Sequence, residues 1–173
     1  GMENYRQLFS PETELGRWLM ARNTMLRIGR NLFVHAGLSA RLLERDLEIE
    51  TLNARMSEGL YRTSKERKED PTLEFLYRSA GPVWYRGMVC ADEKYDPLTP
   101  EQTGALLRRY DADRLLVGHT IFPDISTFHD GRVIAVNVQN DLNRRKNRGR
   151  AVLIEGSRIS VVGNRGVKRV LEE

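Results

Sequence analysis

The chain has 173 residues, enough for one domain with a hydrophobic core. Hydrophobic residues make up 40% of it and charged residues 30%, a balance typical of a globular domain and not of a disordered one. No apolar run approaches the roughly 20 residues that a membrane span needs, so we expect no membrane segment. The formal net charge of +4 mildly favours an anionic partner such as a phosphate ester. The single cysteine, Cys90, excludes an internal disulfide and favours a reducing compartment, so we expect a cytoplasmic protein.

The first half of the chain predicts helices around a strand hairpin. Ser10 is a suitable cap for a helix over 10–21, because a proline and two acidic residues follow it. Residues 25–28 and 32–34 are apolar runs separated by a glycine-containing turn, which predicts a β-hairpin. The stretch 40–65 carries apolar residues at helical spacing, so we expect a helix there that Ser39 caps and that breaks near Asp46.

The second half contains a capped helix and several strands. Residues 99–109 begin with Thr-Pro, a helix start, and lead into an apolar run at 115–117. Further strands are predicted as two hairpins, at 125–128 with 133–138 and at 151–154 with 159–162. The tail from Gly163 is polar and is expected to fray. Because no repeat or linker interrupts this order, the sequence predicts a single α/β domain over 1–173, a mixed β-sandwich flanked by helices.

Two of the three histidines end apolar runs. His35 follows Leu-Phe-Val, and His119 follows Leu-Leu-Val-Gly. Ligands collect at the carboxyl ends of strands in α/β proteins, and neutral imidazole is the commonest protein metal ligand. The repeated context favours a shared metal site over two unrelated polar residues beside a core. Two histidines alone do not complete such a site, because zinc usually takes three or four ligands and harder ions require carboxylates.

A loop over 81–87 carries an arginine after two aromatic residues. Pro82 and two glycines break regular structure there, and Trp84 and Tyr85 precede Arg86. Arg86 could be a surface residue beside a hydrophobic anchor. It could also be held rigidly by the aromatic residues and directed at an oxyanion, because the planar guanidinium fork matches phosphate.

Three short motifs occur in an order that points to a known family. They are VHAGLS at 34–39, WYRG at 84–87 and VGHT at 117–120. Their order and spacing resemble the C-terminal half of calcineurin-like metallophosphoesterases. The similarity is greatest to the serine/threonine protein phosphatase superfamily and its bacterial Shewanella-like phosphatase branch. The resemblance extends over nearly the whole chain and implies a metallophosphoesterase-like fold.

The resemblance also implies an activity and its residues. Members of that family hydrolyse phosphate esters with water activated by two divalent metal ions, for which Mn, Fe and Zn are all suitable. By position in the motifs, His35 and His119 match ligands of the second metal ion, and Arg86 matches the arginine that holds the substrate phosphate. The implied partner is a phosphorylated substrate, either a protein or a small phosphoester.

The chain also departs from the family pattern. The motifs GDxHG, GDxxDRG and GNHE, which carry the remaining metal ligands and the general acid, are absent from it. The sequence therefore predicts a C-terminal fragment that begins at an internal methionine, Met2, binds metal weakly or not at all, and is inactive alone. An uncovered apolar face would then favour a homodimer. Ile121 and Asn137 replace a proline and an aspartate that the family often has, which affects the expected substrate geometry.

Other functions remain open from the sequence. His129 could join His35 and His119 in a three-histidine zinc site. The basic cluster 144–150 could bind nucleic acid, although it has no interleaved aromatic residues. The chain could be a non-catalytic interaction or regulatory domain. Cys90 is a weak candidate nucleophile, because no histidine is near it in sequence.

Overall fold

The computed structural model describes residues 2–172, apart from the side chains of residues 2–4, 165 and 172. The α-helices in this range are α1 (Met2–Leu8), α2 (Glu14–Met20), α3 (Ile49–Gly59), α4 (Ser64–Lys68), α5 (Pro71–Tyr77), α6 (Pro100–Arg109) and α7 (Asn140–Arg145). The strands are β1 (Met25–Ile28), β2 (Asn31–Val34), β3 (Arg114–Val117), β4 (Ser126–Phe128), β5 (Val133–Ala135), β6 (Arg150–Glu155), β7 (Arg158–Gly163) and β8 (Lys168–Glu172). Short 3-10 helices occur at Ala40–Arg45, Glu93–Tyr95 and Asn164–Gly166.

The strands form two sheets. A five-stranded sheet has the order β1-β2-β3-β5-β4, in which β2, β3 and β5 are parallel and the two edge strands are antiparallel. A three-stranded antiparallel sheet has the order β6-β7-β8. The prediction of a mixed α/β fold with flanking helices is therefore confirmed. Since β2, β3 and β5 are parallel, their carboxyl ends share one edge of the sheet.

The central strands are buried on both faces, which explains their unbroken apolar sequences. On one face of β3, Leu115 and Val117 belong to the main core, which includes Leu52 of α3 and Leu106 of α6. On the other face, Leu116 belongs to a second core. That second core also contains Ile134 of β5 together with Ile159 and Val161 of β7. The two sheets therefore pack face to face, with the helices on the outer face of the larger one.

One helix start differs from the prediction, and one predicted helix break is present. The helix expected from Ser10 begins at Glu14, because the Thr13 hydroxyl caps it by accepting a hydrogen bond from the Gly16 amide at 3.0 Å. The break predicted near Asp46 in the helix over 40–65 is confirmed. A 3-10 turn ends at Asp46, whose φ of 46° lies in the left-handed region and stops the helix before α3 begins.

The polar tail forms a strand where fraying was expected. Lys168–Glu172 is β8 and pairs along β7, with Val161 opposite Arg169. A turn containing Gly166, whose φ is 71°, reverses the chain so that it can reach the free edge of β7. Leu171 then packs against the second core. An open sheet edge and one apolar contact outweigh the polar composition of this segment.

An apolar groove of about 800 Å³ opens beside β1 and β2. Leu26, Phe33 and Val152 are among the residues that line it, and His35 lies at its rim. Ile28 of β1 is also exposed, at 59%. The sequence led us to expect an uncovered apolar face, and both the identity of this groove with that face and a homodimer formed through it stay predictions. No helix in the described part of the chain is long and apolar enough to cross a membrane.

Candidate active site

Three loops that are distant in sequence meet at the carboxyl edge of the larger sheet. They are 35–39 after β2, 80–87 after α5 and 118–120 after β3. The amide of Ala36 donates to the Pro82 carbonyl at 2.9 Å, which fastens the first loop to the second. The amide of Gly118 donates to the His35 carbonyl at 2.8 Å, which fastens the third loop to the first. The WYRG segment is thereby held beside both histidine loops.

Ser39 contributes to this junction in a way that the sequence did not reveal. Its side chain is buried and its hydroxyl donates to the Ala80 carbonyl at 2.8 Å. It makes no side-chain hydrogen bond to the 3-10 turn that follows it, so the expected capping role is wrong. A buried hydroxyl takes the acceptor that the packing offers, and here that acceptor lies 41 residues further along the chain.

Tyr85 fixes the position of Arg86. Its ring is buried, and its hydroxyl donates to the Asp96 carbonyl. Burial, with a smaller contribution from the Asp96 carboxylate, raises the pKa of this phenol well above its ordinary value, so it remains a donor. A Cβ at Gly37 would lie 3.0 Å from the Tyr85 carbonyl oxygen and 3.3 Å from its ring. Glycine at 37 therefore allows Tyr85 to pack closely under the first loop.

The two strand-ending histidines face each other. His35 Nε2 lies 3.2 Å from His119 Nδ1, and the ring centroids are 5.0 Å apart. Two nitrogens that share a tetrahedral ion at the usual bond length are separated by about 3.3 Å. The same separation also permits an N–H···N hydrogen bond between the rings. The pair is therefore arranged so that one small cation could replace one shared proton.

The backbone at His119 is strained. Its φ is 59°, in the left-handed region that non-glycine residues rarely adopt, and the Thr120 amide donates to the Gly118 carbonyl at 2.6 Å. A three-residue turn of this kind is rare. A Cβ at Gly118 would lie 3.2 Å from the His35 carbonyl oxygen, so this position also favours glycine. Strain of about 1–3 kcal/mol at one residue is characteristic of functional sites.

The electrostatic environment keeps His119 neutral. Burial lowers the pKa of its imidazole below the ordinary 6.5, and the positive charges of Arg86 and His35 lower it further. Neutral imidazole is the form that binds metal ions. The Nε2 atom of His119 is buried and has no hydrogen-bond partner in the described part of the protein. Asn31, Arg109 and Asn143 also have a buried polar atom without a partner there, so this atom points to a ligand only together with the facing histidine and the strained backbone.

Arg86 faces the histidine pair. Its Nη1 donates to the Thr120 hydroxyl at 3.1 Å, and no acidic side chain among the described residues forms an ion pair with it. The ring of Trp84 meets that of His119 edge to face, with centroids 5.5 Å apart, yet Trp84 is 55% exposed. The structure thus brings His35, His119 and Arg86 together, as the sequence led us to expect.

Two residues of this cluster were not expected. The sequence predicted no separate role for Thr120, although a hydroxyl directly after a candidate ligand is a usable signal. Trp84 was interpreted as a packing residue, and sequence alone does not distinguish it from the adjacent Tyr85, which is the one that is buried.

The metal ligand set is incomplete within the described residues. No three histidine, cysteine, aspartate or glutamate side chains among them are grouped so that they could hold a metal ion. His129 is engaged elsewhere, with Nε2 3.0 Å from the Met88 carbonyl oxygen and Nδ1 3.3 Å from the Thr103 hydroxyl. The three-histidine zinc site is therefore not formed. His35 and His119 fit a metal ion in chemistry and spacing, but as part of a larger ligand set.

Cys90 shows no sign of a nucleophilic role. It is partly buried and packs against the main core, and its amide donates to the Arg86 carbonyl at 3.0 Å. Among the contacts described for it, none links its thiol to a histidine or another base. Nucleophilic cysteines need such an activating neighbour.

Comparison with known proteins gives a structural answer only. No protein-family model matches the chain. No curated protein matches it in sequence either. Among solved structures, a cold-active protein tyrosine phosphatase superposes with a TM-score of 0.86 and 28% identity, covering 98% of this chain and 48% of that one. The cold-active protein tyrosine phosphatase of a psychrophilic Shewanella species gives 0.86 and 27%, covering 97% and 48%. This chain therefore spans about half the length of the solved structures it matches.

These similarities establish the fold but not the family to which the chain belongs. A phosphatase-like α/β fold extends over nearly the whole chain, as predicted. The matched proteins are described as tyrosine phosphatases. The narrower assignment to calcineurin-like metallophosphoesterases, and to the serine/threonine phosphatase superfamily, stays a prediction.

Proposed function

We propose that this chain carries part of a metal-dependent phosphatase site, at which activated water hydrolyses a phosphate ester. One observation supports this most directly: His35 Nε2 and His119 Nδ1 face each other at 3.2 Å, with the Arg86 guanidinium beside them. Two facing imidazoles next to an arginine without an ion-pair partner among the described residues are suited to a cation and an oxyanion bound together. The phosphatase-like fold of the matched structures agrees with this chemistry.

His35 and His119 would hold the metal ion through the two facing nitrogens. A divalent ion bound there would activate water and neutralise charge on the phosphoryl group. Mn, Fe and Zn all accept imidazole together with carboxylate ligands. We propose that the carboxylates come from polypeptide outside the residues described here. The orphaned Nε2 of His119 and the incomplete ligand set support that view.

Arg86 would bind the phosphoryl oxygens. Its guanidinium has no carboxylate partner among the described residues, so its donors remain available to an oxyanion. The Thr120 hydroxyl orients one nitrogen, and the buried Tyr85 holds the backbone that carries Arg86. A preorganised guanidinium stabilises the charge that develops on the equatorial oxygens during displacement.

Among phosphorylated substrates we propose phosphotyrosine first. The exposed Trp84 ring stands beside His119, where it offers an aromatic surface to the ring of a substrate. The matched structures are described as protein tyrosine phosphatases, which agrees with this choice. Phosphoserine and phosphothreonine lack a ring for Trp84 to contact, so comparison of matched phosphopeptides would decide between the classes.

Metal binding tests the histidine pair. Titration of the chelator-treated chain with Mn²⁺ or Zn²⁺, followed by calorimetry, should show binding that weakens at least about 10-fold in His35→Ala and in His119→Ala. The matched control is His129→Asn, which removes the third histidine and suits its left-handed φ of 52°. Equal metal affinity in all three variants would contradict the assignment.

Activity tests the rest of the proposal. We expect little or no turnover of p-nitrophenyl phosphate or of a phosphotyrosine peptide by this chain alone, because the ligand set is incomplete. Rapid turnover by the chain would refute the need for carboxylates from elsewhere. Phosphate binding that does not weaken in Arg86→Ala would refute the role of Arg86 and favour a non-catalytic interaction domain.

A further inference from the structure

Residues 140–150, which we call the basic arm, concentrate positive charge. They comprise α7 and the loop that leads into β6, and contain five basic residues and one acidic residue. Their net charge of +4 equals the formal net charge of the whole chain. The remainder of the protein is therefore balanced overall, and the arm accounts for its cationic character.

Both ends of the basic arm are held next to the candidate active site. At its start, the Phe122 amide donates to the Asn137 carbonyl and the Gln139 amide donates to the Phe122 carbonyl, each at 2.9 Å. At its end, Arg150 Nε donates to the Asp124 carboxylate at 2.7 Å. Phe122 and Asp124 follow Thr120 by two and four residues. Both ends of the arm are therefore hydrogen-bonded to the segment 122–124, which follows the candidate site in the chain.

Contacts inside the basic arm divide its cations into two groups. Arg148 turns inward, where its Nε donates to the side chain of the buried Asn143 at 3.0 Å. Arg144, Arg145 and Lys146 are exposed, and no acidic side chain in the described part of the chain pairs with them. The inward group stabilises the loop and the outward group presents unpaired charge to solvent.

The outward cations lie within reach of a bound substrate. Chain geometry from Thr120 through Phe122 and along α7 places Arg144 and Arg145 no more than about 20 Å from Thr120. An extended peptide spans that distance in about six residues. A phosphorylated side chain bound at Arg86 would therefore leave its neighbouring residues close to the arm.

We propose that the basic arm binds acidic side chains flanking the phosphorylated residue of a peptide substrate, an inference that rests on the proposed phosphatase function. Unpaired arginines and lysines attract carboxylates and raise association rates at moderate ionic strength. A single-stranded nucleic acid fits less well, because residues 140–150 contain no aromatic side chain on which bases could stack.

The test uses four fluorescent peptides that share one central tyrosine. They carry either tyrosine or phosphotyrosine, flanked within six residues by either aspartates or serines, and their binding to the 173-residue chain is followed by anisotropy at low salt. We expect the phosphorylated acidic peptide to bind about 10-fold more tightly than the phosphorylated neutral one. In Arg144→Ala/Arg145→Ala this ratio should fall to about 2-fold.

A matched control is available at the opposite end of the parallel strands, where their amino termini lie. Arg108 and Arg132 are also exposed. Each has a guanidinium nitrogen beside Gly104, 3.2 Å and 3.3 Å from the position that a Cβ would occupy there. Arg108→Ala/Arg132→Ala removes the same charge there and should leave the 10-fold ratio unchanged. Equal loss in both double variants would show a general charge effect and overturn the arm's role.

The remaining outcomes separate the two proposals. Equal affinity for the acidic and the neutral phosphopeptide contradicts the arm's role alone. Equal affinity for the phosphorylated and the unphosphorylated peptide contradicts the proposed function. Tighter binding of a short RNA than of the acidic phosphopeptide, lost in the arm variant, would overturn the proposal in favour of nucleic acid. Thermal unfolding of both double variants provides the check on folding, because all four arginines are exposed.

Discussion

The two ends of the five-stranded sheet differ in how their charged groups are paired. At the amino end of β2 and β3, Arg30 pairs with Asp111 at 2.7 Å and with Asp113 at 2.8 Å, and Arg27 also reaches Asp111. Hydrogen bonding from Arg30 lowers the pKa of the Asp113 carboxyl below its usual range. These four charged side chains at the amino end therefore pair with one another within the chain.

At the carboxyl end of the same strands, such ion pairing is missing among the described residues. His119 has a buried nitrogen without a partner in the described residues, and Arg86 has no carboxylate there. His119 is also held in a strained backbone conformation, and Trp84 is left exposed beside it. The partnerless nitrogen, the strained backbone and the exposed aromatic ring occur together at this end, which supports the proposal that it binds a ligand.

Packing tightness at the two ends can be compared through glycines. A Cβ at Gly87 would lie 2.3 Å from the Tyr85 hydroxyl and 2.6 Å from the Asp96 carbonyl oxygen. Gly87→Ala should therefore reduce the free energy of unfolding by about 2–3 kcal/mol, measured by urea denaturation, because the Tyr85–Asp96 contact must shift.

The matched position at the other end is Gly29, where a Cβ would meet open space but φ is 56°. Gly29→Ala should lower the stability by only about 1 kcal/mol, from backbone strain alone. Equal losses in the two variants would show that the loop carrying Arg86 is no more tightly packed than an ordinary hairpin turn.

Backbone strain allows a sharper comparison. His119 and Asp111 both have left-handed backbones, with φ of 59° and 48°. His119→Gly should raise the free energy of unfolding by about 1 kcal/mol, since it relieves strain and removes an orphaned nitrogen, while Mn²⁺ affinity falls at least about 10-fold. A gain in stability with a loss of binding is the behaviour of a functional residue.

Asp111→Gly relieves the same strain but removes the carboxylate that pairs with Arg27 and Arg30. Exposed ion pairs contribute up to about 1 kcal/mol, so the net change in stability should be close to zero. A stability loss in His119→Gly would mean that His119 supports the fold and would remove the contrast between the two ends.

The sequence contained enough information to predict that His35, His119 and Arg86 meet at one end of the sheet. The apolar runs before His35 and His119 predicted buried strands, and parallel pairing of such strands places their final residues at one edge. Glycine and proline around Arg86 predicted a loop, and the loop does reach that edge. These inferences succeeded because burial periodicity and turn residues are local properties of a sequence.

The features that were missed depend on partners far along the chain. The Ser39 hydroxyl donates to the Ala80 carbonyl and does not cap the following turn. The tail forms β8 because β7 has a free edge with which it can pair. The exposure of Trp84 beside the buried Tyr85 follows from how one loop docks on another. Local patterns do not encode these choices, since tertiary contacts decide between options that are equal in local energy.

Proton binding provides the finest comparison of the two ends. Burial first, and then the charges of Arg86 and His35, lower the pKa of His119 below 6.5 in the folded chain. As pH falls through 6.5, the unfolded chain therefore binds a proton more readily than the folded one, and stability must fall with it. Arg86→Gln removes one positive neighbour, so the pKa of His119 should rise toward 6.5 and the loss of stability at acidic pH should become smaller.

NMR gives the pKa of His119 directly, from the imidazole proton resonances of the chelator-treated chain. The titration runs from about pH 4 to about pH 8, on both sides of the ordinary histidine pKa. Arg30→Gln removes one arginine charge at the amino end of the sheet, where its partners are Asp111 and Asp113, and should leave the pKa of His119 unchanged. If Arg86→Gln likewise left it unchanged, the guanidinium would have to be directed away from the histidine pair. The phosphate would then need a different anchor, because a charge too remote to influence an imidazole is also too remote to share an oxyanion with it.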